Sequence, residues 1–175
     1  MCGLVGGFNL KKENFNNEKF LDCLRILKNR GPDDEGIEFW HENYGSIIFG
    51  HTRLSIIDLS SNGKQPMTSS NKRYSLVFNG EIYNFKELRK HQELSNYEFL
   101  SNSDSEVLLA AWSVWQEECV NKLIGMFSFA IFDRLHKKIF LVRDAYGMKP
   151  LYYYYDSNQI TFSSDIKCLR RLHSH

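Results

Sequence analysis

What these 175 residues lack narrows the possibilities first. There is no excess of charge. Twenty-two basic and 21 acidic side chains leave a formal net charge of +1, which offers no electrostatic footprint for nucleic acid or an anionic membrane. No apolar run is long enough to cross a bilayer: the longest, Leu123 to Phe132, reaches about half of the roughly 20 residues a spanning helix needs. Cys2, Cys23, Cys119 and Cys168 form neither a CxxC pair nor a short disulfide framework, which points to a reducing, cytoplasmic setting. The six histidines are scattered, and His173-Ser174-His175 reads as an incidental terminal cluster, so no metal site is expected. No internal repeat, low-complexity tract or linker divides the chain. A single compact domain over 1–175 with a sizeable core is the expectation. Aromatic residues make up 14%, which favours thick sheet packing over a bare helical bundle.

Against that ordinary background the N-terminus stands out. Met1-Cys2-Gly3-Leu4-Val5-Gly6-Gly7-Phe8 reads as a short buried strand with a cysteine at its free end. Removal of Met1 would leave Cys2 carrying both a thiol and the chain's α-amine. A free thiol, with a pKa of roughly 8.5, is mostly protonated at neutral pH, whereas an α-amine of roughly 7.7–8.0 is partly neutral and can take its proton. Nucleophile and base would then share one residue. The alternative is a buried structural thiol on an edge strand. The three glycines imply a close approach to this backbone. Myristoylation is excluded because glycine stands third, as Gly3, rather than second. A signal peptide is excluded because the apolar run gives way to Lys11-Lys12.

Further along, Asn16-Asn17 offers a helix cap before Phe20, Cys23, Leu24 and Leu27 at helical spacing. Arg30-Gly31-Pro32-Asp33-Asp34-Glu35-Gly36 ends that helix in a turn. Ile37–Trp40 and Ser46–Gly50 read as strands paired about Asn43-Tyr44-Gly45. Arg53, taken alone, reads as a surface guanidinium, with a fork aimed at a carboxylate as the alternative. Tyr74–Phe78 is a strand running into Asn79-Gly80-Glu81. Asn-Gly is a strong hairpin signal, yet Asn84 followed by Glu87 resembles a helix cap. A strand–Asn-Gly–helix junction would set an amide side chain beside a backbone N–H, as oxyanion donors require. Ser103-Asp104-Ser105-Glu106 predicts a capping box ahead of a stripe of Leu108, Ala111, Trp112 and Trp115. Asp104 is thereby explained as a first-turn acid, though a ligand amine could use it. Four strands and a short helix capped by Ser163-Ser164-Asp165 complete the chain. The layout predicts an α+β fold of stacked, largely antiparallel sheets with helices outside.

Read in order, Met1-Cys2-Gly3, Arg30-Gly31-Pro32-Asp33, Arg53-Leu54-Ser55-Ile56-Ile57-Asp58, Asn79-Gly80-Glu81-Ile82-Tyr83-Asn84, Ser103-Asp104, Gly125 to Ala130 and Arg143 to Tyr152 resemble the glutaminase domain of the asparagine synthetases, class II glutamine amidotransferases with an N-terminal nucleophile. The resemblance implies a four-layer αββα sandwich and hydrolysis of L-glutamine to L-glutamate and ammonia. It further implies Cys2 as nucleophile with its own α-amine as base, and Asn79 with the Gly80 N–H as the oxyanion hole. Arg53 would hold the α-carboxylate of glutamine, Glu81 and Asp104 its α-amino group, and backbone around Leu54 and Ile57 would line the pocket.

Three departures from the family pattern qualify this. Asn29 stands where histidine is usual, and Ala145 where a larger residue is common. No Ser-Gly-Gly-x-Asp-Ser loop of an ATP-using synthetase domain occurs, so ATP and magnesium are implied only for a synthetase domain absent here, and no cofactor is expected in this chain. The chain stops near Ser164-Asp165-Ile166-Lys167, where the first domain of the family it resembles ends, the expectation being a fragment, a truncated product, or a subunit that serves a synthetase partner. The rival readings are an amidotransferase with a different acceptor and a catalytically silent interaction domain.

Overall fold

The computed structural model describes residues 1–10 and 15–174; Lys11-Lys12 and His175, named above, lie outside the described residues. Among the described residues nine strands form two sheets. In chain order the elements are β1 (Gly3–Asn9), α1 (Asn17–Leu27), β2 (Asp34–Glu42), β3 (Gly45–Arg53), β4 (Met67–Thr68), β5 (Tyr74–Ile82), α2 (Phe85–Arg89), α3 (Asp104–Trp115), β6 (Gly125–Asp133), β7 (Lys138–Arg143), β8 (Tyr152–Tyr155), β9 (Gln159–Ser163) and α4 (Ile166–His173). The first sheet runs β2-β3-β1-β9-β8 and the second β4-β5-β6-β7. Every pairing is antiparallel.

Side-chain alternation along the strands sorts the apolar residues into three cores. Leu4, Phe8, Ile47, Phe49 and Phe162 of the first sheet face Val77, Ala130 and Phe132 of the second. The opposite face of the first sheet, with Val5 and Ile48, meets Phe20, Cys23, Leu24 and Leu27 of α1 and Cys168 of α4. The opposite face of the second, with Leu76, Phe78, Phe129 and Ile131, meets Leu108, Ala111 and Trp112 of α3. The layers are therefore helix, sheet, sheet, helix, the αββα sandwich expected of an N-terminal-nucleophile fold. The close approach implied by the N-terminal glycines comes from the protein itself. A Cβ on Gly6 would run into the Phe162 ring and the Ile48 carbonyl, and one on Gly3 into Thr52 and Leu27.

Local signals differ in how they fare. Asn16 caps α1 as expected, accepting from Lys19 N at 3.3 Å, and Asp165 caps α4 through Lys167 N at 2.9 Å. Asn79-Gly80 makes neither a hairpin nor a strand–helix junction. β5 runs straight through both residues, which pair with Ser128 and Phe127 of β6. The ladder overrides the turn preference because β6 supplies partners on both sides of the dipeptide. Asn84 precedes α2 but does not cap it. Its amide instead donates to Lys122 O at 2.9 Å and accepts from Ile124 N at 3.0 Å, joining α2 to the start of β6. Ser103 caps α3 by accepting from Glu106 N at 3.2 Å. The reciprocal arm of the box goes elsewhere: Glu106 accepts from Leu100 N and Ser101 N at 2.8 and 2.7 Å, tying down the segment before the helix. Among the described residues no helix is long and apolar enough to cross a membrane.

Trp112 is 1% exposed and packs edge-on to Phe129 and Phe140 with ring centroids 5.8 and 5.1 Å away. Trp112→Ala should therefore cost about 3–5 kcal/mol, read as a lower urea midpoint. Val114→Ala, on the exposed side of the same helix, should change stability by less than about 0.5 kcal/mol.

Candidate active site

The polar residues of the site are the ends of apolar strand faces. On β3 the inward series Ile47, Phe49 continues as His51 and Arg53; on β5, Ser75 and Val77 continue as Asn79 and Glu81; ahead of β1, Cys2 keeps the parity of Leu4. β1 and β3 are antiparallel with Gly3 opposite Thr52, so these series end together at one mouth of the sandwich. A cleft of about 200 Å³ opens there. Its lining includes Cys2, Arg53, Leu54, Ile57, Asn79, Gly80, Glu81 and Asp104, together with Met1, Gln65, Met126 and Lys149. Every site residue named from the sequence thus borders one cavity.

Cys2 lies at the start of β1 with its thiol between backbone groups of Leu54. Leu54 N donates to Sγ at 3.4 Å, and Sγ donates to Leu54 O at 3.8 Å. Arg30 fixes the residue from behind by donating Nε to the Cys2 carbonyl at 3.1 Å. Burial raises the thiol pKa, with the Leu54 N–H, the N-terminal ammonium and Arg53 pulling the other way. The thiol therefore needs a base to become a nucleophile at neutral pH. The other three cysteines are also free and are buried. Cys23 and Cys168 face one another across α1 and α4, each thiol near the other's carbonyl at 3.6 and 3.7 Å.

Arg53 is 7% exposed, which corrects its reading as a surface side chain. The loop after β3 folds back over it, so that its guanidinium donates to the Ser60 carbonyl at 2.8 Å and to the Asp58 carbonyl. Gly63 lies flat against the same group, where any Cβ would collide with it. Asp58 holds that loop by accepting from Ser60 N and Asn102 N at 2.7 and 2.6 Å. Among the described residues no carboxylate pairs with Arg53 or with Lys149. Arg53 brings a full positive charge into the cleft.

Asp104 is the opposite case. It is 6% exposed and accepts from Ile82 N at 3.0 Å. Burial, which outweighs its backbone hydrogen bonds and is reinforced by the charge of Glu81, raises its pKa to about 6. It is ionised at neutral pH without a basic partner. A cleft that holds an unpaired guanidinium and an unpaired carboxylate is matched to a zwitterion, whose two charges satisfy both.

Asn79 is 1% exposed, and both polar atoms of its amide are buried without a partner. In folded proteins such groups are rare, and this one borders the cleft, where its amide is free to meet a ligand. The adjacent backbone carries a second donor. Antiparallel ladders alternate hydrogen-bonded and open pairs, and Tyr83 N bonds Ile124 O at 2.7 Å while Arg134 N bonds Arg73 O at 3.0 Å. This phase turns the N–H groups of Phe78, Gly80 and Ile82 away from β6. Gln65 Oε1 takes the first at 2.6 Å and Asp104 the third. The Gly80 N–H between them has no recorded partner among the described residues. Gly80 also has to be glycine, since a Cβ would meet the Met126 carbonyl and, at 2.7 Å, Phe127 Cα. Asn79 and Gly80 thus set an unpartnered side-chain amide and an open backbone N–H side by side within a continuous strand.

Residues the sequence reading left without a role are Arg30, His51, Gln65, Met126 and Lys149. The parity of His51 with Ile47 and Phe49 was the available signal for one of them. Lys149 is presented by the loop after β7. Asp144 organises that loop by accepting from Tyr146 N, Met148 N, Lys149 N and Phe127 N at 2.9–3.2 Å. Among the described residues no cluster of three His, Cys, Asp or Glu could hold a metal.

Known proteins resemble this chain in sequence and in fold. The sequence pattern of the glutamine amidotransferase domain matches residues 1–175. Glutamine-hydrolyzing asparagine synthetase 3 of Bacillus subtilis is 37% identical over 172 residues, covering 97% of this chain and 27% of its own length. Synthetase 1 of the same organism is 41% identical, with 97% and 26% covered. The putative asparagine synthetase 2 of Methanocaldococcus jannaschii is 39% identical, with 95% and 34% covered. The chain spans about a quarter to a third of these relatives. Among solved structures, the glutamine phosphoribosylpyrophosphate amidotransferase of B. subtilis superposes with a TM-score of 0.79 at 18% identity, covering 98% of this chain and 43% of that one. That likeness bears on the fold.

The raised Asp104 pKa sets a pH-dependent stability. Between the ordinary value of 3.8 and about 6 the folded chain binds more protons than the unfolded one, so this residue's contribution becomes less favourable as pH rises through that window. Asp104→Asn should accordingly stabilise the fold at pH 7–8 by about 2–4 °C in Tm per kcal/mol of relieved burial. The gain should vanish below about pH 4, where both states are protonated. Thermal melts across pH 4–8 would test this, and a lower Tm for the variant at pH 8 would contradict it.

Proposed function

The chain belongs to the glutamine amidotransferase domain family, and from that premise we propose that it hydrolyses L-glutamine to L-glutamate and ammonia. In this reading it is the glutaminase part of an asparagine synthetase-like amidotransferase. Ammonia would pass to a synthetase portion that amidates aspartate, and ATP and magnesium would act only there. The cytoplasmic setting expected from the unpaired cysteines accompanies the reading. The single observation that carries it is the buried, unpartnered Asn79 amide in the same cleft as Cys2, where the charges of Arg53 and Asp104, unpaired with each other, match the two ends of a free amino acid.

The mechanism follows from these groups. Arg53 receives the α-carboxylate, while Asp104 and Glu81 receive the α-ammonium. Once Met1 is removed, the α-amine of Cys2 takes the thiol proton, and Sγ attacks the side-chain amide carbon of glutamine. The oxygen becomes an oxyanion stabilised by Asn79 Nδ2 and the Gly80 N–H. Collapse of this intermediate breaks the C–N bond, the α-ammonium returns the proton to the leaving nitrogen, and ammonia departs. Water then attacks the thioester through the same oxyanion site, releasing glutamate and restoring the thiol. With Met1 attached the Cys2 nitrogen is an amide, which has no available lone pair, and Met1 itself borders the cleft.

Purified chain should release glutamate from glutamine alone. Cys2→Ala should abolish release yet still bind glutamine, and Asn79→Ala should lower kcat by about 10²–10³ with little change in KM. Turnover by Cys2→Ala would refute the assignment of the nucleophile.

Activity should follow removal of Met1. Preparations separated by intact mass into Met1-retaining and processed forms should be inactive and active respectively. The active form should gain rate with pH as its α-amine deprotonates, from a starting value of roughly 7.7–8.0 shifted by its surroundings. Full activity in the Met1-retaining form would exclude the amine as base.

A further inference from the structure

The proposed oxyanion donors sit on an open stretch of sheet edge. β4 pairs only Met67 with Leu76 and Thr68 with Ser75, so from Phe78 onward no strand covers that side of β5. A bare strand edge would leave the Asn79–Gly80 backbone free to twist. Two side chains from other parts of the fold occupy it instead, and both bind the peptide groups of Phe78. Gln65 accepts from Phe78 N at 2.6 Å and passes its own Nε2 to Ser105 Oγ of α3 at 3.2 Å. His51, on the facing sheet, sets Nε2 2.9 Å from Phe78 O. Both are fully or nearly fully buried, at 0% for His51 and 4% for Gln65.

We propose that His51 and Gln65 are positioning residues that clamp Phe78 from two sides and so aim the Asn79 amide and the Gly80 N–H at one point. The inference rests on the glutaminase reading. Phe78 contributes the carbonyl of the peptide unit whose nitrogen belongs to Asn79, so holding that carbonyl fixes the plane from which the Asn79 side chain departs. Two residues on, Asp104 holds Ile82 N. The strand is therefore pinned on either side of Gly80, and only the Gly80 N–H is left for a ligand. His51 does not border the cleft, so it acts through the strand and not on substrate. The carbonyl it faces requires Nε2 to carry the proton, and burial, which holds its pKa down to about 4, keeps the ring neutral. Its Nδ1 is buried without a partner, so the bond to Phe78 is the one its placement serves.

The test uses the processed chain with His51→Leu, His51→Gln and Gln65→Met. A displaced donor pair slows the chemistry without weakening the grip on the zwitterion. His51→Leu and Gln65→Met should each lower kcat about tenfold to a hundredfold and leave KM within about twofold. His51→Gln, which restores an N–H donor at similar reach, should recover most of the rate. Alkylation of Cys2 by iodoacetamide should keep its wild-type rate in all three, because displacement at a saturated carbon forms no oxyanion. Unchanged kcat in both His51→Leu and Gln65→Met, or a parallel loss of alkylation, would overturn the clamp. A readout independent of turnover is the Asn79 side-chain amide in NMR spectra. It should give one sharp resonance pair in the parent chain and broadened or multiple ones in His51→Leu and Gln65→Met. If the parent chain released no glutamate, the glutaminase reading would fall, and an unaltered Asn79 resonance in those variants would overturn the clamp separately.

Discussion

The phase of the β5–β6 ladder decides what the cleft can offer. An antiparallel pair spends every second residue on its neighbour and turns the others outward. With Tyr83 bonded to Ile124 and Arg73 to Arg134, residues 78, 80 and 82 must present their N–H groups at the open edge. Shifting the register by one residue would point the Gly80 N–H into the sheet and carry Asn79 to the opposite face, against α3. The inter-sheet core prevents such a slip. Val77 faces Leu4 and Phe49 on one side, while Leu76 and Phe78 face α3 on the other. The chemistry at the mouth is thus set by apolar packing further down the same strand.

Charge in this cleft is costly, and the fold bears the cost locally. Arg53 is surrounded by carbonyl dipoles of its own loop, which solvate the guanidinium without cancelling its charge. Asp104 keeps only backbone donors, that of Ile82 and those at the start of α3, and no cation. Pairing the two residues with each other would be better for stability and would leave nothing to attract a zwitterion. Holding them apart on different elements, one after β3 and one at the head of α3, is what keeps each available. Asp133 shows the other outcome: Arg73 donates two hydrogen bonds to it at 3.0 and 2.8 Å and its pKa falls to about 2.

Much of this was legible in the sequence because the signals were local and uncontested. Asn16 and Asp165 sit at the boundaries their side chains suit, and the consecutive apolar residues of Ile124–Asp133 predict a strand buried on both faces, which β6 is over most of its length. The cleft residues were found through ordered motifs, and all of them border one cavity. The reading went astray where a long-range partner outweighed a local preference. Asn79-Gly80 has strong turn chemistry, but β6 is paired along its entire length. Arg53 looked exposed because nothing in its neighbours reveals that residues 58–63 fold back over it. Asn84 and Glu106 spend their side chains on segments distant in sequence or upstream of the cap, which spacing alone does not encode. For His51 parity marks an inward-facing side chain but not its role, since its partner Phe78 lies on the other sheet.

The loop after β7 is wired as a star. One carboxylate, that of Asp144, serves amides from four residues, and Arg143 adds bonds to the carbonyls of Gly147 and Lys149 at 2.6 and 2.7 Å. In a chain of separate bonds, damage accumulates step by step. In a star every spoke fails with the hub, so loss of that carboxylate frees four amides at once and leaves the loop to Arg143. Those bonds also hold the Asp144 pKa below the usual carboxylate range against the effect of burial, which keeps the hub charged under mild acid. Variation at Asp144 therefore weighs on the placement of Lys149 far more than variation at exposed Tyr146 and Met148 on the rim, which contribute only their backbone.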